Sequence, residues 1–240
     1  QAKPLAENAR TAFQGITKGG SFDVSGEKAR FWLGSPNPNG RPNSDVVRPW
    51  SNGADLTQRP SDKWIVDFAD CTETDAALFE EPFAYVLKQV KPVRDRNAEK
   101  NTREKYWLFK RSAADMKRSI RRLNRFIATP ETPTYTVFAW LSSALVPDKN
   151  LIAIARSDDL NFGILSSRFH VAWVRALGSP YGNHPTARRY NNSRVFETFP
   201  FPTGLTPRDT APVAGQASPP CLAGQIVAEN IADAARRLNE

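Results

Sequence analysis

The sequence contains few of the residues that build disulfide frameworks or metal centres. Among 240 residues there are two cysteines, Cys71 and Cys221, and two histidines, His170 and His184. Two cysteines far apart in sequence do not form the framework of a disulfide-rich domain, and two scattered histidines are a weak set of metal ligands. We therefore expect no metal site, and the sparse cysteines favour a reducing cytoplasm.

Long apolar runs are also missing. No run approaches the roughly 18–20 residues that cross a bilayer, and the first residues, Gln1-Ala2-Lys3-Pro4, lack the pattern of a signal peptide. We expect no membrane partner. The chain nevertheless has 40% hydrophobic residues, with 14 Phe and six Trp, so the composition predicts a folded core rather than disorder.

The sequence also lacks the motifs of base methylation and of nucleophilic catalysis. Methyl transfer to a base amino group needs a glycine-rich loop after a strand and an Asn/Asp-Pro-Pro-aromatic turn. The nearest tetrapeptide, Ser218-Pro219-Pro220-Cys221, has cysteine in place of the aromatic residue. Ser166, Ser167 and His170 lie close in sequence, but no glycine-flanked nucleophile elbow surrounds them. We expect no catalysis by this chain on its own and no cofactor bound to it.

Positive charge is concentrated in one part of the chain. Between Lys88 and Arg125 there are 14 Lys and Arg against four acids, a local net charge of +10, whereas the whole chain carries +8. A localised basic excess is typical of proteins that bind the phosphates of nucleic acids. A solvated helix surface is the alternative interpretation, and charge by itself does not decide between them.

Hydrophobic periodicity predicts an α+β fold: short mixed strands, a helical basic insertion, a proline-rich linker and a C-terminal helix. Residues 1–202 are predicted to form one domain, in which 72–129 is mainly helical and basic. Six prolines between 200 and 220 indicate a linker over 203–220, and 221–240 is predicted to form an amphipathic helix that must dock to be stable.

Within this outline, capping residues and apolar spacing predict individual elements. Ser25 is expected to cap a helix that ends near Leu33, and Trp64–Phe68 to form a buried strand. Longer helices are predicted over Thr72–Val90, Ser112–Ala128 and Phe162–Leu177.

Short motifs occur in a fixed order along residues 10–202. They are Phe13–Gly15 with Gly20–Phe22, Asp45–Pro49 with Asn52–Leu56, Trp64–Phe68, Val90–Arg94, Tyr106-Trp107, Arg125–Pro130, Phe162–His170 with Trp173, and Phe196–Pro202. In this combination the sequence resembles the target-recognition region of large single-chain adenine-specific DNA methyltransferases, including the MmeI-like restriction–modification enzymes.

The resemblance implies a sequence-specific recognition module for double-stranded DNA. The module would position a target adenine, to be methylated at N6, for a catalytic domain that this chain does not contain. S-adenosylmethionine would be the cofactor of that domain, and a bacterial cytoplasm the location. The resemblance implies neither the recognised sequence nor a nuclease activity of the parent protein.

The segment Arg168–Arg194 has the composition expected of base-reading residues. It contains five Arg, two His, three Asn, two Tyr and no acid. Arg donates in pairs to guanine O6 and N7, and Asn pairs with adenine N6 and N7. Prolines and glycine predict a loop over 179–190. The predicted base contacts are Arg188, Arg189, Tyr190, Asn191, Asn192 and Arg194, each of which could instead pair within the protein.

Phosphate contacts and supporting residues are predicted from charge and helical spacing. Phosphate contacts position a protein on DNA without specifying sequence. The predicted set is Lys91, Arg94, Arg96, Arg103, Arg118, Arg122 and Arg125. Ser167, His170 and Trp173 are predicted to anchor the helix that presents the reading loop.

Two other functions remain open from the sequence. One is a nucleic-acid-binding module without sequence preference, which would use only phosphate contacts. The other is a protein-docking scaffold domain whose basic face meets an acidic partner.

Overall fold

The computed structural model describes residues 2–183, 187–211 and 225–237, with the side chains of 225–227 excepted. Within these ranges the chain divides into two compact units. Unit 1 comprises Gln1–Gln14, Asp115–Ser143 and Asn150–Glu240. Unit 2 comprises Gly15–Ala114 and Ala144–Lys149.

Both units combine short strands with short helices. The strands in the described ranges are β1 (Ala12–Gln14), β2 (Asp23–Ser25), β3 (Val47–Ser51), β4 (Lys63–Val66), β5 (Arg125–Pro130), β6 (Ala139–Ser142), β7 (Val146–Pro147), β8 (Leu151–Ile154), β9 (Ser179–Pro180) and β10 (Arg188–Arg189). The helices there are α1 (Gly26–Leu33), α2 (Gly53–Thr57), α3 (Glu73–Ala77), α4 (Glu80–Gln89), α5 (Lys91–Arg94), α6 (Lys100–Glu104), α7 (Ala114–Ile120), α8 (Asp159–Ser166), α9 (Arg168–Leu177) and α10 (Gln225–Arg237). The predicted α+β class with short strands is confirmed.

Unit 1 is built on an antiparallel sheet with the strand order β1-β8-β5-β6. β8 pairs with both neighbours, so that Ile154 lies opposite Ala12 of β1 and Ile127 of β5. Every residue of β8 is buried. Its sequence, Leu-Ile-Ala-Ile, contains no polar side chain, which suits a strand covered on both faces. The core joins these strands to α8, α9 and α10.

Unit 2 is built on a mixed sheet with the order β2-β4-β3-β7. β4 is antiparallel to both neighbours, whereas β3 and β7 run parallel. Ser25 caps α1 as predicted, because its Oγ accepts the amide hydrogen of Lys28 at 3.3 Å. Phe22, Phe68 and Phe79 are fully buried in this unit.

The helix predicted over Ser112–Ala128 is wrong in its second half. α7 ends at Ile120, a turn follows, and Arg125–Pro130 forms β5. Met116 and Ile120 do share a buried helix face, but Ile127 pairs with Ile154 and Trp140 across the sheet. Apolar residues at helical spacing cannot reveal strand partners elsewhere in the chain, and in this segment the pairing determines the structure.

Two other predicted helices are interrupted. Thr72–Val90 breaks at 78–79 into α3 and α4, and Phe162–Leu177 breaks at Ser167 into α8 and α9. Ser167 has an extended backbone, and its Oγ accepts the amide hydrogen of His170 at 3.3 Å. The residue therefore ends one helix and caps the next.

The C-terminal helix α10 packs against α8 within unit 1. Gly163 makes this packing possible, because a Cβ built on it would lie 2.7 Å from Ile231 Cγ2 and 2.9 Å from the Ile231 carbonyl oxygen. Part of the predicted linker also packs, since Leu205 is 3% exposed. The remaining part of the predicted linker, 212–220, and residues 221–224 and 238–240 of the predicted C-terminal helix lie outside the described residues.

Candidate nucleic-acid interface

The predicted reading segment follows a short antiparallel hairpin in unit 1. β9 and β10 pair Ser179 with Arg189 and Pro180 with Arg188. The predicted loop over 179–190 is therefore partly paired, with Tyr181 exposed near its tip. Residues 184–186 of this loop lie outside the described residues.

Tyr190 occupies the core rather than the surface. Its side chain is 0% exposed, and its hydroxyl lies 3.0 Å from Nε2 of His170, which is also fully buried. The prediction that Tyr190 contacts a base is wrong for this structure, because no face of the ring reaches solvent. The aromatic ring instead fixes the segment to the core between two half-buried neighbours, Arg189 and Asn191.

Burial keeps this pair neutral. It lowers the pKa of His170 to about 3 and raises the pKa of the Tyr190 hydroxyl well above its ordinary value. Among the described residues His170 Nδ1 has no hydrogen-bond partner. An imidazole in this environment supports structure and does not exchange protons near neutral pH.

The other two supporting residues lie around the same helix. Ser167 caps α9, and Trp173 donates its indole hydrogen to Thr198 Oγ1 at 3.2 Å. Phe199 meets the His170 ring edge to face, with centroids 4.4 Å apart. These contacts join α9 to the chain on both sides of Arg194. The role of Ser167, His170 and Trp173 in presenting the reading segment remains a prediction.

Arg188 and Arg189 are half-buried and already engaged within unit 1. Arg188 Nε donates to the carbonyl of Arg175 at 3.3 Å. Arg189 donates to Glu131 Oε1 at 3.1 Å, and its guanidinium lies 5.7 Å from the Tyr181 ring centroid. A base contact by either arginine would compete with these bonds.

Asn191 and Asn192 serve the backbone around a single π-helical turn, Asn192–Phe196. Asn191 Oδ1 accepts the amide hydrogens of Ser193 and Arg194 at 3.0 and 3.2 Å, as a helix cap does. The amide of Asn192 donates to the Ala12 carbonyl at 3.4 Å. Arg194 is different, because its side chain is exposed and has no partner among the described residues.

Four of the predicted phosphate contacts lie in unit 2. Arg96 is exposed, and Lys91 is partly exposed with an ion pair to Asp95 at 3.0 Å. Arg103 donates to the carbonyls of Asn97 and Ala98 at 2.7 and 2.9 Å.

Arg94 is a structural residue, and its predicted phosphate contact is wrong. Its side chain is 2% exposed and its guanidinium donates to five backbone carbonyls. These carbonyls belong to Lys18, Gly19, Lys105, Tyr106 and Leu108. Burial lowers the pKa of Arg94. The charge cannot reach a phosphate because it joins two chain segments in the interior of unit 2.

Three predicted phosphate contacts lie in unit 1. Arg118 and Arg122 are exposed, with Arg118 paired to Asp115. Arg125 is held more firmly, since it pairs with Asp159 at 2.9 Å and its guanidinium lies 3.8 Å from the Trp140 ring centroid. Of the three, Arg122 has no hydrogen-bond or ion-pair partner among the described residues.

A basic groove of about 710 Å³ opens beside Arg118 and Arg122 in unit 1. The sequence analysis missed one of its residues, Arg10, which lies in an alanine-rich start with no motif. Arg10 has a φ of 56° and an exposed side chain. The lining residues are Arg10, Thr11, Phe13, Asp115, Arg118, Ser119, Arg122, Ala155, Arg156, Pro207 and Ala211.

Neither a metal cluster nor a membrane helix is present in the described part of the chain. No group of three His, Cys, Asp or Glu residues there is placed to hold a metal ion. No helix in the same residues is long and apolar enough to span a bilayer.

Comparison with known proteins identifies the family. The profile of the MmeI target recognition domain matches residues 16–203, more than three quarters of the chain. The chain belongs to the MmeI target recognition domain family. The predicted resemblance is thereby confirmed, as is the predicted role as a target recognition module.

A solved structure shares the fold of this target recognition domain. The chain is similar to the structure of the type IIL restriction–modification enzyme MmeI in complex with DNA, with a TM-score of 0.62 and 17% sequence identity. The likeness covers 80% of this chain and 25% of that one, so the chain spans about a quarter of the length of MmeI. No curated protein matches the chain.

Proposed function

We propose that this target recognition domain reads the sequence of double-stranded DNA. It acts for a parent adenine-specific (N6) methyltransferase or restriction–modification enzyme, in a bacterial cytoplasm. The parent's catalytic domain, absent from this chain, uses S-adenosylmethionine, and the recognition domain positions the target base for it. Family membership supports the DNA-reading part of this proposal, and the absence of catalytic motifs in the sequence agrees with a separate catalytic domain.

The observation that carries the proposal is an exposed arginine held between buried residues at the end of the reading segment. Tyr190 and Val195 are fully buried, whereas Arg194 between them is exposed. Capping by Asn191 fixes the backbone of Arg194, so its guanidinium projects from a rigid base. A guanidinium presented in this way can donate two hydrogen bonds to one guanine without a large loss of entropy.

Basic residues outside this segment suit the second part of DNA binding. Arg96 of unit 2 and Arg122 of unit 1 are exposed, and exposed arginines neutralise phosphates without reading bases. The proposal therefore assigns sequence choice to the segment 188–194 and most of the affinity to exposed cations outside it.

Selection from a random duplex library tests the proposal. Duplexes retained by the 240-residue chain are sequenced, and the enriched duplex competes with a scrambled duplex of equal composition at one fixed salt concentration. We expect the enriched duplex to bind at least tenfold more tightly, because only base contacts give a specificity ratio. Equal affinities would indicate a non-specific nucleic-acid-binding module, and no binding to either duplex would favour a protein-docking domain.

The assignment to adenine-N6 methylation is tested with the full-length parent protein. Incubation with labelled S-adenosylmethionine and the enriched duplex should label one adenine at N6, at a fixed distance from the selected sequence. Label on cytosine, or label without any fixed position, would refute the adenine assignment while leaving sequence recognition intact.

A further inference from the structure

We propose that the basic groove of unit 1 binds a backbone phosphate of the duplex that the segment 188–194 reads, with Arg10 as a new contact residue. This inference rests on the proposed function and deepens it. It adds a residue from the N-terminal segment to cations predicted on and after α7, and it places both beside the reading segment.

The charge of the groove suits an anion. Four arginines and one acid line it, and that acid, Asp115, is paired with Arg118. Arg156 is 5% exposed and already donates to Asp158 and to the carbonyls of Pro207 and Thr210, so it contributes mainly its charge. Arg10 and Arg122 are exposed and lack ion pairs among the described residues. Their guanidinia are therefore available to phosphate oxygens.

The N-terminal segment connects the groove to the reading segment. On one side of Arg10, the side-chain amide of Asn8 donates to the carbonyls of Phe196 and Phe199 at 3.2 and 2.8 Å. On the other side, the Ala12 carbonyl accepts from the amide of Asn192 at 3.4 Å. Arg10 thus lies between two attachments to the turn that carries Arg194.

The spacing of these residues fits neighbouring positions on DNA. Arg10 is two residues from Ala12, so their Cα atoms lie within about 7 Å of each other. Successive phosphates of one strand are about 3.4 Å apart along the helix axis. A duplex that contacts the Asn192–Phe196 turn therefore places a phosphate within reach of a long arginine side chain at position 10.

The open shape of the groove favours a polymer backbone over a small enclosed anion. Of its four arginines, Arg10, Arg118 and Arg122 are exposed, and Arg156 is buried. A free phosphate would gain little from cations that remain in water, whereas a strand held by base contacts brings its phosphates there at no further entropic cost of association.

The salt dependence of DNA binding tests the inference. The wild-type chain, R10A and R122A are titrated with the enriched and the scrambled duplex between about 50 and 200 mM salt. Each substitution should lower the affinity for both duplexes by the same factor. It should also reduce the slope of log K against log salt concentration by about one. R237A is the matched control, since Arg237 is exposed on α10 and does not line the groove; its slope should equal that of the wild type.

Neutral phosphates locate the contact. A single methylphosphonate is moved along each strand of the enriched duplex. At one position it should weaken DNA binding by the wild type but not by R10A. Removing the phosphate charge or the Arg10 guanidinium removes the same interaction, so the second removal has no further effect. That position should lie within about three nucleotides of the base pair whose preference changes in Arg194→Ala, a distance set by the axial phosphate spacing.

The outcomes separate this inference from the proposed function. If the wild type does not distinguish the duplexes, the proposed function fails, and a slope lost in R10A still supports a phosphate groove. If the wild type does distinguish them and R10A retains the full slope, the groove assignment is wrong. Competition by inorganic phosphate at matched ionic strength would make the groove a free-anion site and overturn the assignment.

Discussion

The hydroxyl of Tyr190 lies 3.0 Å from Nε2 of His170, and both side chains are fully buried. The contact joins α9 to the segment that follows β10, over a sequence separation of 20 residues. The amide hydrogen of Tyr190 also bonds to the Glu131 carbonyl at 2.7 Å, so side chain and backbone are both fixed. The buried bond therefore helps to fix the chain between Arg189 and Asn191.

Replacing Tyr190 by Phe should destabilise the fold. The ring volume is kept, but the hydrogen bond is lost and a buried imidazole nitrogen is left without a partner. We expect the free energy of unfolding to fall by about 1–3 kcal/mol, measured by urea denaturation. Tyr181→Phe is the matched control, because Tyr181 is 45% exposed and should change stability by less than about 0.5 kcal/mol. Equal effects of the two substitutions would contradict a structural bond at Tyr190.

The stability of the protein should fall on mild acidification because His170 is buried in its neutral form. Below pH 6.5 the unfolded chain binds a proton at this residue, whereas the folded chain does not until about pH 3. The stabilisation is therefore complete above pH 6.5 and is lost as the pH falls towards 3. The loss is about 1.4 kcal/mol per pH unit, or about 2 kcal/mol between pH 7 and pH 5.

His170→Gln isolates this contribution from that of the carboxylates. The amide can still meet the Tyr190 hydroxyl but does not titrate. Urea denaturation of both proteins at pH 7 and pH 5 should show the smaller drop in the variant, by about 2 kcal/mol. Identical drops would mean that His170 is not buried neutral in the folded protein.

Gly163 should tolerate no side chain, because α10 packs directly on it. The alanine Cβ would meet Ile231 Cγ2 at 2.7 Å and the Ile231 carbonyl oxygen at 2.9 Å. We expect Gly163→Ala to cost about 1–3 kcal/mol through overpacking and to make α10 more sensitive to limited proteolysis. Gly34→Ala provides the control, since its nearest contact is an ordinary 3.7 Å. Unchanged protection of α10 in Gly163→Ala would show that the helix does not dock there.

Alanine substitution should destabilise the protein strongly at Arg94 and hardly at all at Arg96, although the sequence predicts a phosphate contact for both. Arg94→Ala leaves five carbonyls without their donor and should lower the free energy of unfolding by at least about 3 kcal/mol. Arg96→Ala removes an exposed side chain and should change it by less than about 0.5 kcal/mol. Urea denaturation of both variants decides; a stable Arg94→Ala protein would refute the structural role.

Local sequence patterns predicted the elements that depend on local interactions. Ser25 caps α1 through a bond to a residue three positions away, and such bonds can be recognised from residue type and spacing. The strand β5 could not be recognised in this way. Its partners, β6 and β8, are separate chain segments. The sequence separation between Ile120 and Ile127 suits one continuous helix, but it is the same when the helix ends between them.

In the candidate site, too, sequence identifies residue types but not the distant contacts that decide their exposure. Residue type identified the segment 188–194 as rich in groups that bind bases, and the structure places Arg194 on the surface. Residue type could not separate Arg94 from Arg96, because the carbonyls that bury Arg94 come from residues 18–19 and 105–108. The sequence analysis missed Arg10 because the residues that form the groove with it are distant in sequence, on α7 and in the chain beyond β8.

Arg194 should be the clearest base-reading residue of the segment. Its side chain is exposed and has no partner in the described residues, whereas Arg189 is bound to Glu131 at 3.1 Å. Arg194→Ala should weaken binding of the enriched duplex by about 1–3 kcal/mol and relax one base position. Repeating the library selection with the variant measures that relaxation directly.

Arg189→Ala is the matched comparison, and it should act differently because its guanidinium already has an internal partner. If Arg189 leaves Glu131 to bind DNA, the broken ion pair offsets part of the binding free energy gained. Removing the Arg189 side chain should therefore reduce the affinity for DNA less than removing that of Arg194. Glu131→Gln discriminates further: freeing Arg189 should then tighten DNA binding, with no change in the preferred sequence if Arg189 meets only phosphates. Uniform weakening of all duplexes by Arg194→Ala would instead make Arg194 a phosphate contact and leave the choice of sequence to other residues.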